Sequence, residues 1–138
     1  MNNLCFALII FLLLPLAANA QRVPIYDYSN KDIRETLIRV EQLEASNNLI
    51  EGEKELRRLA ENYPEHGGVW YAYGLNLMKQ KKADEAITAF KNSLNIVPDI
   101  IGPLFYLGIT LMNQKQDYEA AIPYLKNHPE LQIEEFQR

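Results

Sequence analysis

The sequence predicts an all-α protein built from stacked pairs of helices. Three observations support this prediction: the sequence repeats at a spacing of 34 residues, apolar residues recur at helical intervals within each copy, and helix-breaking residues separate the copies. Of the 138 residues, 48% are hydrophobic and 23% are charged, which is the balance of one ordinary globular domain.

The first twenty residues differ from the rest of the chain. Leu4 to Ala18 is an uncharged apolar run of 15 residues, shorter than most membrane-spanning helices, and Ala18-Asn19-Ala20 places small residues where a signal peptidase reads. We therefore expect residues 1–20 to be a signal peptide and the protein to be exported, either periplasmic or secreted. The alternative is an uncleaved segment that anchors the same domain, and a membrane is an expected partner only in that case. Cys5, the only cysteine, lies in this segment, so no disulfide is expected.

Two stretches of the chain match in register, residues 67–100 and residues 101–134. Identical or similar residues coincide at many positions: Gly74 with Gly108, Leu77-Met78 with Leu111-Met112, Glu85-Ala86 with Glu119-Ala120, and Phe90 with Tyr124. Residues 33–66 form a degenerate third copy, in which Leu56 and Pro64 fit the pattern but Val40 stands where the glycine is expected. Terminal repeats are often atypical because one face meets water.

The helical periodicity and its breaks predict six helices, and residues 21–30 are expected to form an extended lead before a helical domain of residues 31–138. The predicted helices cover residues 31–46, 49–62, 67–80, 84–96, 101–114 and 117–127. Pro123 is expected to bend or shorten the last of them.

The repeated residue types suggest how the helices of a pair would pack. Small residues at Gly74 and Gly108 let the second helix approach the first, and Ala86 and Ala120 do the same from the other side. Large residues at Trp70 and Phe90 would fill the space between pairs, and Pro98 would end a helix.

The period and these positions resemble the tetratricopeptide repeat family. The structural positions that carry the resemblance are Trp70, Gly74, Ala86, Phe90, Pro98, Gly108, Ala120 and Tyr124, whereas Gln132 stands where the closing proline of the last copy is expected. The resemblance implies a short right-handed superhelix of about three helix-turn-helix pairs. It also implies that the first helix of each pair lines a concave groove that binds a protein or peptide.

The resemblance assigns the groove residues in the two clearer copies. They are Tyr71, Leu75, Met78, Lys79, Phe105, Ile109, Met112 and Asn113. Most are apolar and lie about one helical turn apart, so they would form one stripe. Only Lys79, Asn113 and Arg34 would suit the carboxylate clamp known in the family, which favours an apolar ligand. Alternatively, the stripe is ordinary core or is covered by the chain's own termini.

Composition and spacing disfavour several other functions. The net charge of −4 argues against a nucleic-acid partner. His66 and His128 have no histidine or cysteine at metal-ligand spacing, and no glycine-rich phosphate loop or nucleophile-and-base set is recognisable. The glutamates of residues 51–65 sit among Lys54, Arg57 and Arg58 at spacings of three and four residues, as on a solvated helix face. We therefore expect neither an enzyme nor a cofactor.

The sequence thus predicts a non-catalytic adaptor or scaffold of the cell envelope or another exported compartment, which binds an apolar peptide or helix in its groove. The alternative is a self-associating structural module, a homodimer formed through the apolar stripe with no foreign ligand.

Overall fold

The computed structural model describes residues 29–126, and within that range it contains six α-helices and no β-strand. The helices are α1 (Lys31–Ala45), α2 (Leu49–Asn62), α3 (Gly67–Lys79), α4 (Ala83–Ile96), α5 (Ile101–Gln114) and α6 (Tyr118–Leu125). The all-α prediction is confirmed, and each predicted helix has its counterpart. The predicted signal peptide, most of the predicted lead, His128 and the C-terminal tail lie outside the described residues.

Side-chain caps fix where three of the helices begin. Asn30 precedes α1, and its Oδ1 accepts hydrogen bonds from the backbone N–H groups of Asp32 and Ile33 at 3.0 and 3.3 Å. The Nδ1 atom of His66 accepts from the N–H of Val69 at 3.2 Å and so caps α3. Asp117 caps α6 in the same way. Because these acceptors satisfy amides that have no partner inside the helix, they make the starts of the helices specific.

The three turns that join the helices of a pair share one conformation. Each has three residues, and its middle residue, Asn47, Lys81 or Gln116, has a positive φ of 58°, 61° or 55°. A left-handed residue ends a helix sharply, which lets the next helix fold back along it. All three pairs are therefore hairpins of the same type.

Successive helices pack against each other, so their directions alternate along the chain. In addition α1 contacts α3, and α3 contacts α5, whereas within residues 29–126 α2 makes no comparable contact with α4, nor α4 with α6. The first helices of the three pairs therefore form one continuous layer, and their partners lie outside it.

Two buried clusters hold the pairs together. One joins α3, α4 and α5 through Leu77, Ala86, Ala89, Phe90 and Leu107, and the other joins α1, α2 and α3 through Ile33, Leu59, Ala60 and Val69. Trp70 packs against both clusters. The tryptophan thus fills the space between neighbouring pairs, as its position in the repeat suggests.

Glycines allow the closest approach within the second and third pairs. A Cβ atom at Gly74 would lie 2.6 Å from the ring of Phe90, and one at Gly108 would lie 2.5 Å from the side chain of Leu125. Both distances are shorter than real Cβ atoms show. In the second and third pairs, a side chain of the second helix therefore packs directly against the backbone of the first helix at its glycine.

The register of the last pair differs from the prediction by one residue. Helix α5 has 14 residues and α3 has 13, so the turn and α6 are displaced by 35 positions instead of 34. At the end of α5 the N–H of Lys115 donates to the carbonyl of Thr110, five residues back, at 3.3 Å, and this wider turn accommodates the extra residue.

This shift changes which residues of α6 face Gly108. Ala121 and Leu125 take the buried places that correspond to Ala86 and Phe90. The predicted residues, Ala120 and Tyr124, are only half-buried. Pro123 does lie inside α6, which is a short helix of eight residues.

Candidate functional site

A cavity of about 510 Å³ opens between α1 and α3, and we call it the first groove. Its walls are the facing sides of two first helices, which run in the same direction because each is separated from the other by a single antiparallel helix. The lining residues are Arg34, Leu37, Ile38, Val40, Glu41, Glu44, Tyr71, Ala72, Leu75 and Lys79.

The middle of the first groove is apolar. Val40 is buried, Leu37 and Leu75 are half-buried, and Ile38 remains 49% exposed although it is a large aliphatic side chain. An apolar concave surface with few polar groups is typical of sites that bind other molecules. Ile38 in particular leaves apolar area that a bound segment would bury.

Charged residues stand at the two ends of the first groove. Arg34 lies in the N-terminal half of α1, whereas Glu41 and Glu44 lie near its C-terminal end. The Nζ atom of Lys79 donates to Glu44, whose other oxygen accepts from the Nδ2 atom of Asn76 at 2.7 Å. Since Glu44 already binds the ammonium group of Lys79, this lysine is poorly placed to capture a partner's carboxylate, although the sequence had placed it among the few residues that suit such a clamp.

The predicted groove residues divide between this cavity and the surface next to it. Tyr71, Leu75 and Lys79 line the first groove, whereas the other five predicted residues lie outside it. Those five are Met78, Phe105, Ile109, Met112 and Asn113. All the apolar members of the predicted set are half-buried, and Lys79 and Asn113 are exposed.

Tyr71 contributes as much to the core as to the groove. Its ring centroid lies 6.2 Å from that of Phe90 and 6.1 Å from that of Tyr106, and its hydroxyl lies 2.9 Å from where a Cβ at Gly102 would be. Phe105 packs edge-on against Tyr106, with centroids 5.2 Å apart. The sequence did not predict that the rings of Tyr71 and Tyr106 pack against each other between α3 and α5.

The structure also contains a buried polar cluster that was not predicted from the sequence, and we call it the polar seam. Glu53 is only 4% exposed; its carboxylate accepts hydrogen bonds from Arg57 and Lys82, each at 2.6 Å, and from Gln80 at 2.9 Å. Gln80 also donates to Asn76 at 2.8 Å, and Asn76 in turn donates to Glu44. The polar seam therefore runs from the rim of the first groove to the start of α4.

Glu53 was expected on a solvated face, and that expectation is wrong. Residues 49, 53, 56 and 60 follow each other at helical spacing, and their other members are apolar, so the periodicity itself puts position 53 on the buried side of α2. Burial alone would raise the pKa of Glu53. The hydrogen bonds from Lys82 and Gln80 and the charges of Lys82 and Arg57 outweigh burial and hold that pKa below its ordinary value.

A second ionic cluster ties α1 to α2 near the chain's first described residues. The guanidinium of Arg58 donates to both oxygens of Asp32, at 3.1 and 3.3 Å, and the hydroxyl of Tyr63 donates to Asp32 at 3.1 Å. The hydrogen bond from Arg58 is the main reason that the pKa of Asp32 is lowered. This cluster therefore joins the beginning of α1 to the end of α2 and to the residue that follows it.

Within residues 29–126 no group of histidine, cysteine, aspartate and glutamate side chains is arranged to hold a metal ion. None of the helices in this range has the length and apolarity that crossing a membrane requires. The polar side chains that do converge, in the polar seam and around Asp32, are engaged with one another.

The chain was compared with protein-family models and with curated proteins, and neither comparison returned a match.

Proposed function

We propose that this protein is a non-catalytic adaptor that holds an apolar peptide or an amphipathic helix of a partner protein against the layer formed by α1, α3 and α5. The observation that supports this most is the first groove, a cavity of about 510 Å³ with an apolar middle and charged ends. An exposed apolar surface of this kind is uncommon on a protein that contacts nothing.

We also propose that the hairpins belong to the tetratricopeptide type and form a short right-handed superhelix. Contacts between first helices, without matching contacts between second helices, favour a stack that curves toward the first helices. The left-handed turn residues Asn47, Lys81 and Gln116 and the bare glycines Gly74 and Gly108 support a common repeat unit. In this proposal the first groove and the neighbouring half-buried stripe face the concave side.

The place of action is proposed from residues 1–20 alone: an exported compartment, periplasmic or secreted, or a membrane surface if that segment is kept as an anchor. In either case the described helices would lie outside the cytoplasm and bind an envelope or secreted protein.

A pair of exposed isoleucines tests the proposal. Ile38 lines the first groove at 49% exposure, and Ile50 on α2 is 66% exposed but does not line it. Peptides selected from a random library on the intact protein serve as probes. Ile38→Asp should weaken their binding at least tenfold, a loss of ~1.4 kcal/mol, because a carboxylate would have to be desolvated in the groove.

Ile50→Asp is the matched control and should leave the dissociation constant unchanged. Isothermal titration measures both variants, and circular dichroism checks that the helices are intact. Peptides that bind both variants as tightly as the unaltered protein would show that the first groove is not the binding site.

A second candidate function is self-association. The third pair exposes three large apolar residues, Ile101 at 55%, Tyr118 at 58% and Ile122 at 53%. These residues lie outside the apolar stripe that the sequence predicted as the dimer surface, and a symmetric dimer formed through them would bury their exposed area. Gel filtration with light scattering distinguishes the two: a tight dimer that Ile122→Asp dissociates supports the structural module, and a monomer supports the adaptor.

A further inference from the structure

We propose that the first groove is occupied by the chain's own residues 22–28, which act as an internal ligand that a partner has to displace. This inference rests on the first groove and on the sequence that precedes α1. It does not depend on the partner of the proposed function.

The position of the segment in the chain puts it within reach. Residues 22–28 lie outside the described residues and join the structure at Ser29, immediately before the cap residue Asn30. The backbone of Asn30 is extended, with φ −74° and ψ 117°, so the chain is not helical at the residue that precedes α1. The segment therefore reaches the structure at the end of α1 where Arg34 lines the first groove.

The composition of the segment suits the apolar middle of the groove. Its sequence is Arg-Val-Pro-Ile-Tyr-Asp-Tyr, in which apolar and aromatic residues lie between one basic and one acidic residue. Pro24 biases Val23 towards an extended conformation and lowers the entropy lost when the segment is held against a surface. Burying Val23 and Ile25 against Ile38 and Leu75 would provide the main favourable free energy.

Length and charge select one orientation. From Arg34 to Glu44 the axis of α1 rises ~15 Å. An extended stretch from Asp27 to Arg22 spans ~17 Å, so the two lengths match. A segment that doubles back along α1 would bring Asp27 beside Arg34 and Arg22 beside the Glu41 and Glu44 end. Glu44 is already paired with Lys79, so Glu41 is the carboxylate that Arg22 would meet. Each end of the segment would then face one opposite charge, which sets register and orientation more than affinity.

Tethering makes even a weak contact effective. Because the segment is covalently joined to α1, its docking is intramolecular and its effective concentration at the groove is high. A partner peptide would bind with an affinity reduced by the fraction of grooves already filled. The internal ligand would thus make the adaptor selective for partners that fit better than residues 22–28 do.

Disulfide trapping in the full chain tests this proposal. Every variant carries Cys5→Ser, so that only introduced cysteines react. One variant combines Ile25→Cys with Ile38→Cys, and its matched control combines Ile25→Cys with Ile50→Cys. In a glutathione buffer we expect the intramolecular disulfide to form at least tenfold faster in the first variant, since only Ile38 lines the groove.

A charge exchange tests the orientation. Arg22→Glu should slow trapping between positions 25 and 38, and adding Glu41→Arg to that variant should restore it. Equal trapping rates at positions 38 and 50 would overturn the proposal, and so would disulfides that join two chains, because these would identify a second copy as the occupant. If the disulfide between positions 25 and 38 forms rapidly but the protein binds no library peptide, the result supports the internal ligand and contradicts the proposed adaptor function.

Discussion

The junction between the first and second helix pairs differs in kind from the junction between the second and third. At the second junction Phe90 stacks on Tyr106, with centroids 6.3 Å apart, and Tyr71 packs beside both rings. At the first junction the polar seam joins the pairs, and the first groove opens beside it. One junction is closed by aromatic packing, and the other is held by charge and left partly open.

The difference follows from which residues each copy has kept. Residues 67–100 and 101–134 retain the small and aromatic residues of the repeat, and the rings of Tyr71, Phe90 and Tyr106 pack together at their junction. The degenerate copy has Val40 in place of the glycine, and it contributes Glu53 and Glu44 to its junction. The first groove therefore lies where the repeat is least regular.

The largest expected effect lies within the second pair, at Phe90, whose ring also stacks across the closed junction. Gly74→Ala should lower the free energy of unfolding by ~2–3 kcal/mol, even though alanine is the better helix former. The added Cβ would lie 2.6 Å from the ring of Phe90, and that ring is fully buried and has no free space to move into. Urea denaturation followed by circular dichroism measures the loss.

Two further variants show whether this contact is the cause. Phe90→Leu in the Gly74→Ala background should recover at least ~1 kcal/mol relative to the sum of the two single changes, because the smaller side chain makes room for the Cβ. Gly108→Ala should cost less than Gly74→Ala, since it meets the flexible side chain of Leu125. Strict additivity between positions 74 and 90 would refute the proposed close packing.

The sequence was sufficient for the helices because they depend on local signals. Turn residues, caps and the 34-residue period determine where each helix begins and ends, and these are visible without a structure. The register of α6 was missed because α5 gains one residue at its C-terminal turn, and a gap-free alignment at 34 residues cannot show a shift that arises inside a copy.

The candidate site was predictable only in part. The resemblance identified Tyr71, Leu75 and Lys79, which do line the first groove. Among the α1 residues that complete it, only Arg34 was considered, because residues 33–66 are a degenerate copy, although Leu37 and Glu41 stand 34 positions before Tyr71 and Leu75. The burial of Glu53 was missed because its charge suggested solvent, although its helical spacing pointed inward. Position on the helix was the better guide there.

A smaller effect is expected in the open junction. Glu53→Gln should lower the free energy of unfolding by ~2 kcal/mol, because the charge that accepts from Lys82 and Arg57 is removed while the volume is kept. Glu51→Gln is the control: Glu51 is exposed and pairs only with Lys54 among the described residues, so its loss should be within ~0.5 kcal/mol. Thermal melts of both variants at neutral pH give the comparison, and equal losses would mean that the polar seam contributes nothing beyond a surface pair.

The smallest effect is the pH dependence of that difference. The pKa of Glu53 is lower in the folded protein than its ordinary value of 4.5, so the carboxylate stabilises the fold fully above that value, and the contribution is lost as the pH falls through the lower folded pKa. The stability gap between the unaltered protein and Glu53→Gln should therefore narrow on acidification below about pH 4.5. The pKa of Asp32 is also lowered, mainly by its hydrogen bond with Arg58. Protonation of Asp32 in acid should reduce the stability of both proteins equally, so it does not affect the difference between them. Urea titrations at a series of pH values measure this difference in stability. A difference that stays constant down to the lowest pH at which the protein is folded would mean that the charge of Glu53 does not stabilise the first junction.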